Sequence, residues 1–555
     1  MNPIRQHTLK FIPLSPVHIG CGETYEPTNY VIDDDALYEF DPHTGSQNLA
    51  PNERQRLLNI ANGRPDQNMI KAIQSFFHQN REAFMLDAKK FVPVQSGVIA
   101  LYNERIGKTA QNEEGGRQIL NKLEIERTSF VPGNRNPYFP GSSIKGAIRT
   151  ALLDRINNKQ AKPDLKNQEL QQHLFKYSIR ELHKDPMRLV SIADAQGCGT
   201  QELPSSRICF AVNRKKHPVQ VDGKTIQSKA EQKGLYQLLE CIPGFSDYLL
   251  NGSINFQTNL DGYEDQLPDK DLHWDIRDIV EACNRFYLPL LEKEMNLLAE
   301  RNYLDRYWHD QMDTLLKERN LRQASDCFLL RLGRHSGAEA MTIAGRRNIK
   351  ITQGQKEKPT YEKESKTVWL ASPEKDSKQD LLPFGWVLVE VDAANDPISG
   401  SLTINNPALE SWNAKTKNKI VQLRIEHEKR IAVQREQAEA ERRKQLEEEN
   451  RQREFENKIQ SLSPLAQELE RQVQNANWES NKNAFWAPGQ IESWIDKLEQ
   501  EPDPAVLDRL SGLFERHFPG ALKNPDKTQG KKQKPVFGDR IRKLAKVLNS
   551  IRSRC

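Results

Sequence analysis

Apolar and polar residues alternate with period two in LKFIPLSPVHIG and NYVIDDDALYEFD, residues 8 to 40, which predicts two strands of a hairpin. Asp33, Asp34 and Asp35 supply the turn chemistry, and GCGETYEPTN between the stretches is a loop with two glycines. Leu57, Leu58, Ile60, Ile70, Ile73 and Phe76 fall at helical spacings and predict a helical stretch from about Pro51 to Lys90. Residues 103 to 125 are polar and predict a loop. Strands are expected at MRLVSIADA (187 to 195), RICFAVNR (207 to 214), GLYQLLECIP (234 to 243) and GSINFQTNL (252 to 260). Residues 272 to 320 are helical in pattern, with Ile276, Ile279, Val280, Phe286 and Leu290 on the apolar face. FLLRLGRHSGAEAMTIAG predicts β-rich structure around a glycine-containing loop, and KTVWLAS and PFGWVLVEV predict the last strands. Hairpin-like strands interrupted by long helices, without regular βαβ repeats, give an α+β class.

After Pro407 the pattern changes. From about Leu409 to Leu462 the chain is rich in Glu, Arg, Lys and Gln and keeps no a/d heptad. That predicts a long polar helix supported by i,i+4 ion pairs. A small helical region anchored by Trp478, Trp486 and Trp494 follows. The lysine-rich KNPDKTQGKKQKP then leads to a last basic helix with an apolar stripe of Ile541, Leu544, Leu548 and Ile551. The expected organisation is 1–407 as an α+β core with helical insertions (about 51–90 and 272–320), 408–462 as a charged helix, 463–522 as a small helical region, and 523–555 as a basic linker and amphipathic helix.

Of the 555 residues, 37% are hydrophobic and 28% charged, so much of the surface is solvated. Nothing approaches the ~18 consecutive apolar residues that span a bilayer, and the first twenty residues hold no continuous apolar h-region. Seven cysteines without CxxC pairs exclude a zinc ribbon and fit reduced thiols. The expected location is cytoplasmic, with no membrane. Net charge is +5, but residues 523–555 hold eleven Lys/Arg against two Asp/Glu, a net of +9 that leaves −4 elsewhere. A nucleic-acid site in the body must therefore be a local patch. The basic end has two readings, added RNA affinity or docking to an acidic partner.

Two stretches carry candidate chemistry. In NPYFPGSSIKGAIRTALLDRI (136 to 156), Ser142 and Ser143 are placed to cap a helix whose apolar face is Ile144, Ile148, Ala151 and Leu152. Lys145 and Arg149 lie one turn apart, off that face, where both can reach solvent. Free N–H groups at a helix start plus two cations suit phosphate oxygens. Gly146 costs about 1 kcal/mol against alanine, which close approach of another backbone would justify. A serine-capped surface helix with merely solvated cations is the plain alternative. In RLGRHSGAEAMTIAGRRNIK (331 to 350), Arg331, Arg334, His335, Arg346, Arg347 and Lys350 surround Gly333, Gly337 and Gly345. Glycines admit a ligand, and arginines engage phosphates and stack on bases. A basic β-hairpin with glycine turns is the alternative.

LSPVHIGCGETYEPTNYVID, PYFPGSSIKGAIRTALL, FLLRLGRHSG and PFGWVLVEV occur in this order, and together they resemble the RAMP superfamily of CRISPR-associated proteins. Within it, they are most similar to the subunit that caps the 3′-end side of the guide RNA (crRNA) in the type III-A effector, the Csm complex. The resemblance spans roughly residues 8 to 395; residues after 407 match no family pattern. It implies a ferredoxin-like, RNA-recognition-motif-like core with helical insertions. It also implies a non-catalytic subunit that holds crRNA through sugar and phosphate, meets target RNA indirectly, and touches backbone and small subunits of the effector. It would bear on where host nucleases stop trimming the guide. Contacts to a variable spacer must be sequence-independent. Lys145 and Arg149 then become phosphate contacts, Ser142, Ser143 and Gly146 permit close approach, and Arg331, Arg334, His335, Arg346, Arg347 and His18 follow as RNA-binding residues.

Relatives in the superfamily cut RNA, so an endoribonuclease is the alternative function. His18 in SPVHIGCG is the best general acid/base candidate among twelve histidines, but its place between Val17 and Ile19 also fits a histidine held by strand packing. Asp33, Asp34, Asp35 and Asp41 offer a metal-binding alternative to turn chemistry, and Asp194 reads as a strand-end residue. HExxH, P-loop and nucleophile-elbow motifs are missing from the sequence. The expectation is no catalysis, no metal and no cofactor.

Overall fold

The first strand is central, not the arm of a hairpin. In the computed structural model β1 (Ile4–Pro13) runs antiparallel to β9 (Leu250–Gln257), with Phe11 opposite Leu250. On its other side it runs antiparallel to β13 (Trp386–Val391), with Leu9 opposite Val391. The structure describes residues 3–112, 118–120, 123–158, 160, 167–197, 205–221, 224–226, 235–246, 248–258, 262, 264–352, 358–392, 407–527 and 535–554. A seven-stranded sheet is completed by β10 (Cys327–Arg331) beyond β13 and by β5 (Val190–Ile192), β6 (Ala195–Gly197) and β4 (Tyr138–Phe139) beyond β9. Every residue of β13 is buried, which explains its nearly unbroken apolar run: a strand covered on both faces need not alternate.

The second sheet has six strands in the order β2 (Gly20–Tyr25), β3 (Ile125–Thr128), β8 (Tyr236–Cys241), β7 (Arg207–Lys215), β11 (Thr367–Ser372) and β12 (Leu382–Pro383). Its ladders are antiparallel except where β8 meets β3. The α+β class holds, and antiparallel pairing dominates.

Three sequence expectations change. The hairpin lies wholly within NYVIDDDALYEFD, as Tyr30–Asp33 against Ala36–Glu39. Asp34 turns it at φ +51°, a left-handed conformation that short polar side chains tolerate. The helical stretch from Pro51 is three helices, Pro51–Ala61, Gln67–Gln79 and Arg81–Met85, and Lys90 already begins a strand, Lys90–Pro93. The supposed loop 103–125 holds the end of the helix Ser96–Arg105 and paired strands Thr109–Asn112 and Gln118–Leu120, though 113–117 and 121–122 lie outside the described residues.

The helices α1 (Gly141–Asn157) and α2 (Ile276–Glu300) pack into one core with the first sheet. On α1 the buried residues include Ile144, Ile148, Ala151 and Leu152, the face expected from spacing. α2 opens with a capping box from Asp275 and Asp278, which satisfies exposed amides at its start. The Asn284 side chain of α2 donates to the Cys327 carbonyl at 2.9 Å and accepts from the Leu329 amide at 3.0 Å. These buried bonds fix the helix against β10. α3 (Arg306–Glu318) follows as the second half of the expected 272–320 helix.

The chain forms two compact units, Met1–Ile425 and Glu426–Cys555. α4 (Pro407–Ile459) contributes its first turns to the first unit: Ile420 is buried with Phe40 and Phe77, and Lys419 pairs with Asp33 and Asp34. In the second unit α5 (Pro464–Asn475), α6 (Gln490–Gln500), α7 (Pro504–His517) and α8 (Pro535–Arg552) share a core. That core holds Trp478, Trp494 and the stripe Ile541, Leu544, Leu548 and Ile551. Trp486 is partly buried under Arg540, 4.4 Å from its ring centroid. Part of the predicted lysine-rich link, 528–534, lies outside the described residues.

Candidate nucleic-acid interface

The glycine-bearing motifs meet through their main chains. The Leu332 amide donates to the Gly385 carbonyl at 2.8 Å, the Gly385 amide to Pro16 at 2.9 Å, and the Arg334 amide to His18 at 2.8 Å. Gly333 has φ +80° and Gly385 φ +89°, conformations that cost other L-residues free energy. A Cβ at Gly333 would lie 2.2 Å from the His18 oxygen, and one at Gly385 2.4 Å from the Leu332 oxygen. SPVHIG, LGRHSG and PFGW thus form a lock of backbone atoms. PYFPGSS joins it, since the Tyr138 amide donates to the Ser129 carbonyl at 3.0 Å and the Ser129 amide to Ile19 at 2.6 Å.

The start of α1 differs from the serine-capped picture. Its N-cap is Pro140, without a side-chain cap bond, so Ser142 and Ser143 lie inside the first turn. The Gly141 amide donates instead to Asp194 Oδ1 at 2.7 Å. Gly141 allows this approach, because a Cβ there would sit 2.4 Å from the Ile192 oxygen. Asp194, expected as a strand-end residue, is therefore also the counter-charge at this helix terminus, and it weakens the case for an anion bound at the N–H groups themselves.

Lys145 and Arg149 do not reach solvent together. Lys145 is half-buried and donates to the Val190 carbonyl at 2.8 Å; burial holds its ammonium below the usual lysine range, with Asp185 opposing and Arg149 assisting. One bond leaves two of its three donors for another acceptor. Arg149 is engaged on every side. It pairs with Asp185 at 2.9 Å, donates to Gln171 at 3.2 Å and Tyr177 at 3.0 Å, and lies 4.8 Å from the Phe175 ring centroid. Sequence spacing could not reveal this, because those partners come from 171–185, folded over the helix. Ser142 and Gly146 are exposed, and no described atom lies within 4 Å of a Cβ placed on Gly146. The close approach expected at Gly146 is thus not made by the side chain or backbone of any described residue outside its own helix.

The basic cluster 331–350 divides. Arg331 is buried: it donates to the Phe384 carbonyl at 3.0 Å and to Glu294 at 2.8 Å and lies 4.7 Å from the Trp386 ring centroid. These contacts anchor it in the core. Arg334 keeps its side chain 40% exposed and pairs with Glu126, so it is the arginine of the loop that solvent meets. His335, at φ +64°, stacks on Trp369 with centroids 4.7 Å apart and meets Gln237 at 2.9 Å. Burial, with Arg334 and His18 adding to it, pushes its pKa down to about 3. Arg347 is half-buried and donates to the Glu339 carbonyl at 3.2 Å. Arg346 is half-buried and Lys350 exposed. Of the β-rich stretch expected around a glycine loop, FLLR is the strand β10, while the rest is loop with a short 3-10 turn, Ala338–Met341, and a two-strand ladder follows from Ile349. Arg331, His335 and Arg347 line a cavity of about 360 Å³, which sequence reasoning missed. Lys216, Glu294, Glu339, Val368 and Trp369 complete its walls.

His18 follows β1, which ends at Pro13, and is fully buried. Its Nδ1 meets the Glu240 carbonyl at 2.8 Å, so that nitrogen carries the hydrogen and Nε2 is an acceptor. Burial lowers its pKa against the pull of Glu240 and Glu126, and no described residue reaches Nε2. Among the acids, Asp33 is held below the usual carboxylate range by Arg81 and Lys419 despite partial burial. Asp41 caps the turn Pro42–Ser46, and Asp35 lies 3.9 Å from Lys415. Among the described residues no group of three or more His, Cys, Asp or Glu could hold a metal ion, and no helix is long and apolar enough to cross a membrane.

Comparison with known proteins gives these chemical placements a family setting. Residues 10–317 match the RAMP superfamily. A Streptococcus thermophilus protein named CRISPR system Cms protein Csm5 is 30% identical over 171 residues, 29% of this chain and 43% of that protein. A Methanocaldococcus jannaschii protein of the same name is 23% identical over 308 residues, 52% of this chain and 64% of that one. The chain thus spans less than two thirds of either relative. Two solved structures are similar at 18% identity. A chain from a Csm–crRNA–target RNA ternary complex of a type III-A CRISPR-Cas system has a TM-score of 0.40, covering 69% of this chain and all of that one. The T. onnurineus Csm5 crystal structure has a TM-score of 0.39, covering 68% and 99%.

Proposed function

The chain belongs to the RAMP superfamily, and from that premise we propose that it is a non-catalytic crRNA-binding subunit of a type III-A CRISPR (Csm) interference complex. It caps the 3′-end side of the guide, contacts target RNA only indirectly, sits beside backbone and small subunits, and sets where trimming nucleases stop. The names of the two matched relatives support the subunit assignment. The sheet supports a ferredoxin-like core: with β1, β5–β6, β9 and β13 as first to fourth strands, the order across it is fourth, first, third, second. α1 follows the first and α2 the third, as a βαββαβ unit requires.

The observation that carries RNA binding is the strip along α1. Exposed Ser142 and Gly146 leave an open, small-residue surface beside half-buried Ser143 and Lys145, whose ammonium keeps two donors for phosphate oxygens. Arg334, Arg346 and Lys350 extend the basic contacts. Arg149 and His18 act by positioning. Absence of catalysis is supported by His18, whose buried, neutral imidazole has no route to a substrate proton.

The test is purification from cells that express the effector. Wild type retains short RNAs and sister subunits, whereas Lys145→Ala loses RNA to a similar degree for unrelated spacers. Strong dependence of that loss on spacer sequence would contradict backbone recognition, and site-specific RNA cleavage abolished by His18→Ala would favour the endoribonuclease.

A further inference from the structure

We propose that the cavity between the glycine-rich loop and β11 is a pocket for one unstacked base of the bound RNA. This deepens the RNA-binding function above and rests on it. The cavity, about 360 Å³, falls in the range of small-ligand pockets, which mix apolar and aromatic walls with a few polar groups. Leu290, Leu297, Val368 and Met341 provide apolar surface, and the stacked rings of Trp369 and His335 form an aromatic wall. Met341 is 65% exposed at the rim, beside exposed His217 and Lys293, so the pocket opens to solvent.

Its charges are internally matched. Glu294 takes hydrogen bonds from Arg331 and Trp386 at 2.8 Å each. Glu339 takes Lys216 at 2.7 Å and the Ser365 amide and hydroxyl at 2.7 and 2.9 Å. Glu364 pairs with Lys293. Arg347 remains. One Nη donates to the Glu339 carbonyl, while its enclosed Nε–H meets no acceptor among the described residues. A buried donor without an acceptor is costly, and a ligand acceptor would relieve it.

Each of the three wall carboxylates is already paired with a cation, and the single donor left over, Arg347 Nε–H, suits one acceptor atom better than the three oxygens of a phosphate. A neutral heterocycle with a π face and an acceptor atom fits, and every RNA base has both. Its phosphates would stay outside, near Lys293 and His217. Stacking tolerates any base, as a variable guide demands.

The experiment uses the full chain in its effector with guide RNA carrying 5-iodouridine at one position at a time. Expected is photocrosslinking from one position, or two adjacent ones, to the segment 341–369. Trp369→Ala should abolish that crosslink and weaken guide binding roughly tenfold. Trp369→Phe, which keeps an aromatic wall, should preserve it, and a wild-type circular dichroism spectrum for Trp369→Ala separates loss of the wall from misfolding. A guide bound with wild-type affinity that crosslinks to 341–369 from no position overturns the pocket alone. So does cavity occupation by free uridine monophosphate with guide crosslinks elsewhere. A folded protein that retains no guide overturns RNA binding itself.

Discussion

A side chain at Gly333 would begin 2.2 Å from the carbonyl oxygen of His18, although 315 positions of sequence separate the two residues. With φ at +80°, Gly333→Ala combines a left-handed backbone penalty with a steric clash and should destabilise the protein by about 2–4 kcal/mol. Gly146→Ala should act in the opposite sense: its site is open and helical, and alanine gains about 0.5–1 kcal/mol there. Thermal unfolding of the two variants checks the contrast, and equal losses would contradict it.

Lys145 and Arg149 should separate in function. Lys145→Ala removes a half-buried ammonium, leaving stability within about 1 kcal/mol of wild type. It should weaken RNA affinity uniformly across sequences and reduce the slope of log affinity against log salt by about one. Arg149→Ala leaves Asp185 unpaired and strips Phe175 of its cation, so the loss falls on stability, on the order of 1–3 kcal/mol. Salt titrations of binding beside denaturant melts distinguish the two.

His335 gives the stability a pH dependence. Its folded pKa of about 3 lies below the ordinary 6.5, so the unfolded chain takes up the proton first. The contribution of this neutral, buried imidazole is complete above about pH 6.5 and is lost as pH falls toward 3. His335→Asn tolerates the positive φ and removes the titration. Urea midpoints of wild type and variant should therefore converge between pH 6.5 and 4; a constant difference would exclude His335 as the source.

Removing the His18 ring should affect folding and not chemistry. His18→Ala leaves the Glu240 carbonyl without its partner in a buried site, at a cost of about 1–3 kcal/mol. Incubation of wild type and variant with repeat-containing RNA, with and without Mg²⁺, should give identical RNA patterns.

The class of the fold was legible because β7, β8, β11 and β13 advertise themselves as apolar runs, β9 alternates apolar with polar residues, and α2 carries a clean helical stripe. The partners of β1 were not legible. A strand reads the same whether its neighbour lies beside it in sequence or 240 residues away, and here register is set by β9 and β13. The site was half legible. The glycines around 331–350 were expected to admit a ligand, whereas Gly333 is taken up by main-chain packing against His18 within the protein. Whether an arginine faces water or a carboxylate depends on tertiary neighbours: nothing near Arg149 or Arg331 in sequence reveals Asp185 or Glu294 as its partner. Trp369 looked like an ordinary strand residue until the loop carrying His335 was laid against it.

The union of SPVHIG, LGRHSG and PFGW is made by amides and carbonyls, which every amino acid but proline supplies in full. Position 334 can therefore exchange its side chain without unfastening it, provided the neighbouring glycines stay, whereas position 335 keeps to residues that accept a φ of +64°. Such a frame can be retuned by point substitution toward a different ligand or a different neighbour, its shape inherited while its contact chemistry drifts.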